Sequence, residues 1–224
     1  MRRQVISSSG VFGQENENLN RIKNLSINGL VDMGDMSYFA NFAKNYSLQT
    51  IDLSNTHFDR SSRFDDKEKT VSERMFFGSM CSNIAIPSNT VYIRKEAFAK
   101  CSRLSHFTIP QTVRYIGDRA FAICDNLRDI TIMHDSKLTS IGDEAFNTGS
   151  VLNQLFIPST VHNLSAKALV GLHTKELHVG WTTPPALSKG FTSKGCTLYV
   201  PKGCVEKYKS ANFWKDCDQI LEEP

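Results

Sequence analysis

The stretch YIGDRAFAIC, Tyr115–Cys124, decides how this chain is read, because it is nearly repeated on both sides of itself. YIRKEAFAKC stands at Tyr92–Cys101, SIGDEAFNTG at Ser140–Gly149 and a worn copy, NLSAKALVGL, at Asn163–Leu172. Anchored on the aromatic position, Phe98, Phe121, Phe146 and Leu169 follow one another at intervals of 23, 25 and 23 residues. Other columns keep step: Ile93, Ile116, Ile141 and Leu164 form an aliphatic ladder, and Ala97, Ala120, Ala145 and Ala168 an alanine ladder. Several columns sharing one such period are the signature of a repeat architecture.

Working outward, each copy is preceded by a β-type phrase: LSHFTIP at Leu104–Pro110, LRDITI at Leu127–Ile132, LNQLFIP at Leu152–Pro158 and TKELHV at Thr174–Val179, with CTLYVP at Cys196–Pro201 extending the series. Upstream, IKNLSI (Ile22–Ile27), LQTIDL (Leu48–Leu53) and SNIAIP (Ser82–Pro87) fit the same template, and Phe77 followed by Cys81 reads as the end of an earlier unit. In L-x-x-L-x-L the apolar side chains alternate inward, which suits a strand with one buried face. The proline that often follows removes a backbone donor and ends pairing. The IGD phrase then supplies a permissive glycine and Asp118 or Asp143 as N-cap of one short helical turn that carries Ala-Phe inward. One such unit cannot bury its own apolar side, whereas stacked neighbours can, each Phe lying on the next. The expected fold is an α/β repeat solenoid with a concave parallel sheet and short helical or turn segments on the convex side.

The phrases IPSNTVYIRKEAFAKCSRLSHFTIP (Ile86–Pro110) and IPQTVRYIGDRAFAICDNLRDITI (Ile109–Ile132) also resemble the BspA-type leucine-rich repeat, common in surface and secreted proteins of gut and oral bacteria and of some protists. The resemblance covers roughly Ile84 to Leu221, and LYVPKGCVEKYKSANFWKDCDQILEE (Leu198–Glu223) is similar to the closing segment such bacterial proteins often carry. Departures are MHDSK at Met133–Lys137, where a proline is expected, and VGWTTPPALSKGF at Val179–Phe191, where the Ile-Gly-x-x-Ala-Phe phrase is lost. The resemblance implies a right-handed leucine-rich-repeat superhelix. It also implies non-enzymatic binding, often to host glycoproteins, matrix proteins or other bacteria. It names no universal ligand and no universal binding residue.

With 224 residues, 40% hydrophobic and 22% charged, the chain has enough apolar side chain for a core. A net charge of +3, with Lys and Arg scattered, gives no footprint for nucleic acid. No run approaches the roughly 18 apolar residues of a membrane span. The opening MRRQVISSSGVFGQENENLN has two arginines but no apolar h-region, which fits either a cytoplasmic protein or one whose export segment lies outside this sequence. Three parts follow: a polar, disordered segment 1–20; a solenoid 21–200, irregular over 21–80 and regular over 81–178; and a capping segment 201–224. Within them, Met33–Asn45 reads as a convex-side helix and Phe58–Met75 as a charged, solvated insertion. Tyr208, Ala211, Trp214 and Cys217, three apart with Ile220 after them, read as an amphipathic, locally helical cap over the last coil.

Chemistry leaves few traces. Cys101 and Cys124 share a repeat column, with Cys81 read into it too, as buried free thiols. Cys196, Cys204 and Cys217 have no C-x-x-C spacing, so zinc is disfavoured while their disulfide status stays open. The histidines form no H-E-x-x-H, and no G-x-S-x-G or glycine-rich phosphate loop is present. The expectation is therefore a protein that is not an enzyme and takes no cofactor. On a concave sheet the third and fifth template positions face out. They are His106 and Thr108, Asp129 and Thr131, Gln154 and Phe156, Glu176 and His178, and Thr197 and Tyr199, after Asn24 and Ser26, Thr50 and Asp52, and Asn83 and Ala85 upstream. Phe156, His178 and Tyr199 gather toward the C-terminal half, where exposed aromatics can stack on sugar faces or anchor a peptide. The plainer reading makes them ordinary β-formers on a wet face. Three readings follow in order: a protein- or glycoprotein-binding module at the cell surface or secreted, an intracellular interaction scaffold, and an enzyme or a regulator of one, for which the sequence holds no positive sign.

Overall fold

The computed structural model describes residues 5–7, 22–45, 47–58 and 69–224. The strands of the wide sheet are β1 (Val5–Ser7), β2 (Asn24–Val31), β3 (Thr50–Phe58), β5 (Asn83–Ala85), β7 (His106–Ile109), β9 (Asp129–Ile132), β11 (Leu152–Ile157), β13 (Thr174–Val179), β14 (Thr197–Val200) and β15 (Gln219–Glu222). They run in two ladders, β1-β2-β3-β5 and β7-β9-β11-β13-β14-β15. The ladders meet where the Ser105 amide donates to the Ser82 carbonyl at 3.2 Å. Every pairing is parallel. Each crossing from strand to strand is thus a full coil, as the repeat period requires. The expected parallel solenoid is the observed fold.

Coil interiors follow the repeat columns. Phe76, Phe98, Phe121 and Phe146 form a stack, with centroid spacings of 5.4, 5.3 and 6.2 Å and planes within 6° of parallel. Phe107 tilts against Phe98 and Phe121 at 4.6 and 5.0 Å. All five rings are buried. In the earliest of these coils it is Phe76, not Phe77, that enters the stack; Phe77 lies outside under the Arg74 guanidinium at 4.0 Å. The stacking register follows from the Phe76 amide bonding Ala97 and the Phe98 amide bonding Ala120. By that register Ser79, rather than Cys81, occupies the Cys101 and Cys124 column. Cys81 is buried elsewhere, its thiol 3.6 Å from the Leu48 carbonyl.

The aliphatic ladder builds a second, narrow sheet that the sequence did not announce. Strands β4 (Thr70–Val71), β6 (Tyr92–Ile93), β8 (Tyr115–Ile116), β10 (Ser140–Ile141) and β12 (Asn163–Leu164) pair in parallel, with Ile93, Ile116 and Ile141 pointing in.

The convex turns also differ from the expectation. After each narrow strand the chain forms successive turns rather than helix, with Glu96, Arg119 and Glu144 at φ of 51°, 52° and 52°. Amides in these turns donate to the next coil: Glu96 to Asp118, Phe98 to Ala120 and Lys100 to Ala122, at 2.8–2.9 Å. Backbone groups satisfied between coils have no need of the helical i to i−4 bond. The aspartates accordingly cap the neighbouring coil instead of a helix of their own. Asp118 Oδ1 accepts from the Asp143 amide at 2.9 Å, and Asp143 accepts from the Ser165 hydroxyl. The glycine of the phrase serves close approach rather than an unusual φ: a Cβ at Gly142 would stand 2.7 Å from the Asp118 amide nitrogen.

At the N-terminal side, helix α1 (Met33–Asn45) has the expected bounds and buries Met36, Phe39, Ala40, Phe42 and Ala43. Val5–Ser7, inside the segment read as a polar tail, pairs with β2; this short β-branched run has strand propensity. The rest of 1–20 lies outside the described residues, as do 59–68 of the charged insertion.

At the other end, α2 (Val205–Lys209) is five residues long and gives way to turns. The three-residue spacing of the apolar stripe is kept by i to i−3 bonds, from Ala211 to Tyr208 and from Cys217 to Trp214. Tyr208 and Trp214 are fully buried, and both hydrogen-bond to the segment that follows Val179. The irregular segment after Val179 is held by the same cap. Trp181 Nε1 donates to Val161, the Tyr208 hydroxyl to Trp181 and Trp214 Nε1 to Pro185, at 2.7, 2.8 and 2.9 Å.

Candidate functional site on the concave sheet

The ten template positions from His106 to Tyr199 lie on the outward side of the wide sheet. Phe107, Ile130, Leu155, Leu177 and Leu198 point inward from β7, β9, β11, β13 and β14, with a candidate on either side of each facing outward. Registers assemble them into columns. His106 stands beside Asp129, and Asp129, Gln154, Glu176 and Thr197 line up strand by strand. Thr108 stands beside Thr131, and a separate run joins Phe156, His178 and Tyr199.

The tertiary structure adds members that the template missed. Strand β15, read only as part of the cap, continues the sheet and places Leu221 beside Tyr199 and Gln219 beside Thr197. Leu221 is 42% exposed, unusual for a leucine on a sheet face. The signal was the Ile-Leu pair within the QILE phrase at Gln219–Glu222, hidden by the preceding stripe. His134 packs on Phe156 with centroids 4.3 Å apart and planes at 46°. It comes from the MHDSK departure, where Met133 stands in the place of the proline and its carbonyl accepts the Ser136 amide just as that of Pro110 accepts Val113.

His178 is the best-fixed member. Its ring stacks on Tyr199 at 4.5 Å, with planes 6° apart. Its Nδ1 lies 2.9 Å from Glu223 Oε1, while Nε2 is 3.5 Å from Glu176 Oε2 and makes no hydrogen bond among the described residues. Beside this strip, Lys175 Nζ donates to Asn153 Oδ1 and Asn153 Nδ2 to Asp129 Oδ1, each at 3.1 Å, a polar chain across three strands. Upstream, Thr50 Oγ1 donates to Asn24 Oδ1 at 2.7 Å and Asp52 accepts from Ser54, so those outward residues are engaged with neighbours.

Phe156, His178, Tyr199 and Leu221 therefore form a half-buried strip across four adjacent strands, roughly 14 Å long at about 4.8 Å per strand, with a polar column alongside. Such a surface offers ring faces and hydrogen-bond groups. At its N-terminal edge the Ser105 hydroxyl lies 2.9 Å from His106 Nδ1, and no group of three or more His, Cys, Asp or Glu among the described residues could hold a metal. No described helix is long and apolar enough to cross a membrane.

A curved stack of parallel strands with turns behind it and an outward strip of stacked side chains defines a leucine-rich-repeat solenoid, a class of interaction module. A family model for the BspA type leucine rich repeat region matches residues 69–182 in 6 copies, and the chain belongs to that family. No curated protein matches it. Among solved structures, the pneumococcal vaccine antigen PcpA is similar with a TM-score of 0.50 and 20% identity, over 80% of this chain and 51% of that one. A leucine rich cell surface protein of Faecalibacterium prausnitzii gives 0.47 and 15%, over 89% and 56%. The chain thus spans about half the length of these two proteins. A leucine-rich repeat protein of Bacteroides ovatus gives 0.30 and 13%, over 94% and 70%.

Proposed function

We propose that this protein is a non-enzymatic binding module that recognises a protein or glycoprotein through the C-terminal half of its concave sheet, at the cell surface or secreted. The observation that carries the reading is the strip of Phe156, His178, Tyr199 and Leu221 in strand register on the outward face. Aromatic side chains held half-open by neighbours have lost much of their rotamer freedom before a ligand arrives, which lowers the cost of binding. The adjoining Asp129, Gln154 and Glu176 supply hydrogen-bond groups, and family membership supports the surface setting.

The test is binding of the purified chain to a panel of host glycoproteins, matrix proteins and glycans, beside the double variant Phe156→Ala, Tyr199→Ala. Both side chains project from the outward face, so the double variant keeps the wild-type circular dichroism. The expected result is an affinity loss of at least about tenfold, the equivalent of about 1.4 kcal/mol. Undiminished binding by the variant would move the site off this strip, and no binding across the panel would favour an intracellular scaffold.

A further inference from the structure

The six cysteines are all buried, yet they are not equivalent. Cys101 and Cys124 sit inside the regular coils, and their thiols donate to the Phe76 and Phe98 carbonyls of the preceding coils, each at 3.1 Å. Cys196 immediately precedes β14 and Cys217 lies two residues before β15. The pairing of Thr197 with Gln219 sets Cys196 level with Asp218. There the Asp218 amide donates to the Cys196 carbonyl at 3.2 Å, and Asp218 Oδ2 accepts from the Gly195 amide at 2.9 Å. These bonds hold the two chain segments side by side next to the cysteines, both of which are buried, and the two thiols lie close enough to perturb one another.

We propose that Cys196 and Cys217 form a disulfide that fastens the closing segment covalently to the last coil, made by exchange with a low-molecular-weight disulfide. The electrostatics suit the exchange. The hydrogen bond from Cys217 lowers the Cys196 thiol below its usual range, while that same bond and burial push Cys217 up. The Cys196 sulfur is thus the one that more readily loses its proton and the Cys217 sulfur the one that keeps it. Cys101 moves the other way, raised by its neighbour Cys124 and by burial, which leaves it a protonated and unreactive thiol. Access differs too. Among the described residues β15 pairs only with β14, and three of its four residues are exposed, so local opening of this one strand uncovers the pair.

The steps balance. Cys196 thiolate attacks one sulfur of the small disulfide, whose S–S bond breaks to release one small thiolate. Cys217 then gives its proton to solvent and attacks the Cys196 sulfur of the mixed disulfide. The second small thiolate leaves, and both released thiolates take up protons. Two protein thiols are oxidised to one disulfide, and the external disulfide is reduced to two thiols.

The experiment equilibrates the folded full chain with oxidised glutathione, alkylates the remaining thiols and maps peptides by mass spectrometry. The expected product is a peptide pair joined through Cys196 and Cys217, lighter by two hydrogens, with the other four cysteines alkylated. Its thermal midpoint should exceed that of the reduced chain by about 5 °C or more, the shift expected for closing a loop of this size. A Cys101→Ser, Cys124→Ser variant should give the same cross-link. Six alkylatable thiols after equilibration, a stable glutathione adduct on either cysteine, or preferential joining of Cys101 to Cys124 would each overturn the assignment. The wild-type map decides the matter even where a variant fails to fold.

Discussion

Ile123 illustrates what a repeat asks of single residues. Its backbone is left-handed at φ 58°, its side chain is 41% exposed, and its amide donates to the Asn147 carbonyl at 3.0 Å. The inter-coil bond, not the side chain, fixes that conformation. Glycine takes the matching place in two other coils, Gly78 at φ 72° and Gly171 at 74°. A β-branched residue there costs about 1–2 kcal/mol. Asn tolerates the same backbone and keeps the amide. Ile123→Asn should therefore stabilise the fold by about 1 kcal/mol, read as a higher denaturant midpoint at unchanged slope. A midpoint equal to or below wild type would show that the exposed isoleucine contributes packing outweighing its strain.

At the scale of elements, the cap is a set of side-chain bonds closing on an irregular loop. Tyr208 is fully buried, and its hydroxyl donates to the Trp181 carbonyl at 2.8 Å. Burial raises its pKa well above the ordinary value of 10.0. A folded-state pKa above the unfolded one contributes stability that is complete below about pH 10 and is lost as pH rises beyond it. The raised thiol of Cys217 works in the same direction and starts lower. Melts of the reduced chain from pH 7 to 11 should thus show stability falling on the alkaline side. Tyr208→Phe should lose about 1 kcal/mol at neutral pH, the worth of its hydrogen bond, yet show a shallower decline above pH 10. A variant curve running parallel to wild type would assign the alkaline loss to other groups.

Across the whole molecule, stability passes from coil to coil. The phenylalanine stack is continuous from Phe76 to Phe146, and Phe121 has ring contacts with Phe98, Phe107 and Phe146. Removing one link from a nearest-neighbour array both costs energy and uncouples the two sides. Phe121→Ala should cost about 3–5 kcal/mol and split the single unfolding transition in two. Hydrogen exchange would then find β11, β13 and β14 protected while β7 and β9 have already opened. Uniform weakening across all strands would show that cooperativity runs through the narrow sheet instead.

The sequence by itself determined the coil period, the Phe and Ile ladders, the outward positions of the wide sheet, the bounds of α1 and the burial of Tyr208 and Trp214. All of these rest on local alternation or on a recurring interval, which a single chain displays whatever its neighbours do. The tertiary structure decided what depends on how one coil sits on the next. It turned the expected helical turns into inter-coil ladders, put Phe76 rather than Phe77 into the stack, and gave Asp118 to the following coil. It brought His134, Leu221 and Glu223 to the strip of Phe156, His178 and Tyr199. It also set Cys217 against Cys196. Stacking register is fixed by backbone bonds between residues some two dozen positions apart, and where a coil departs from the repeat, pattern cannot say which side chain the extra residues deliver.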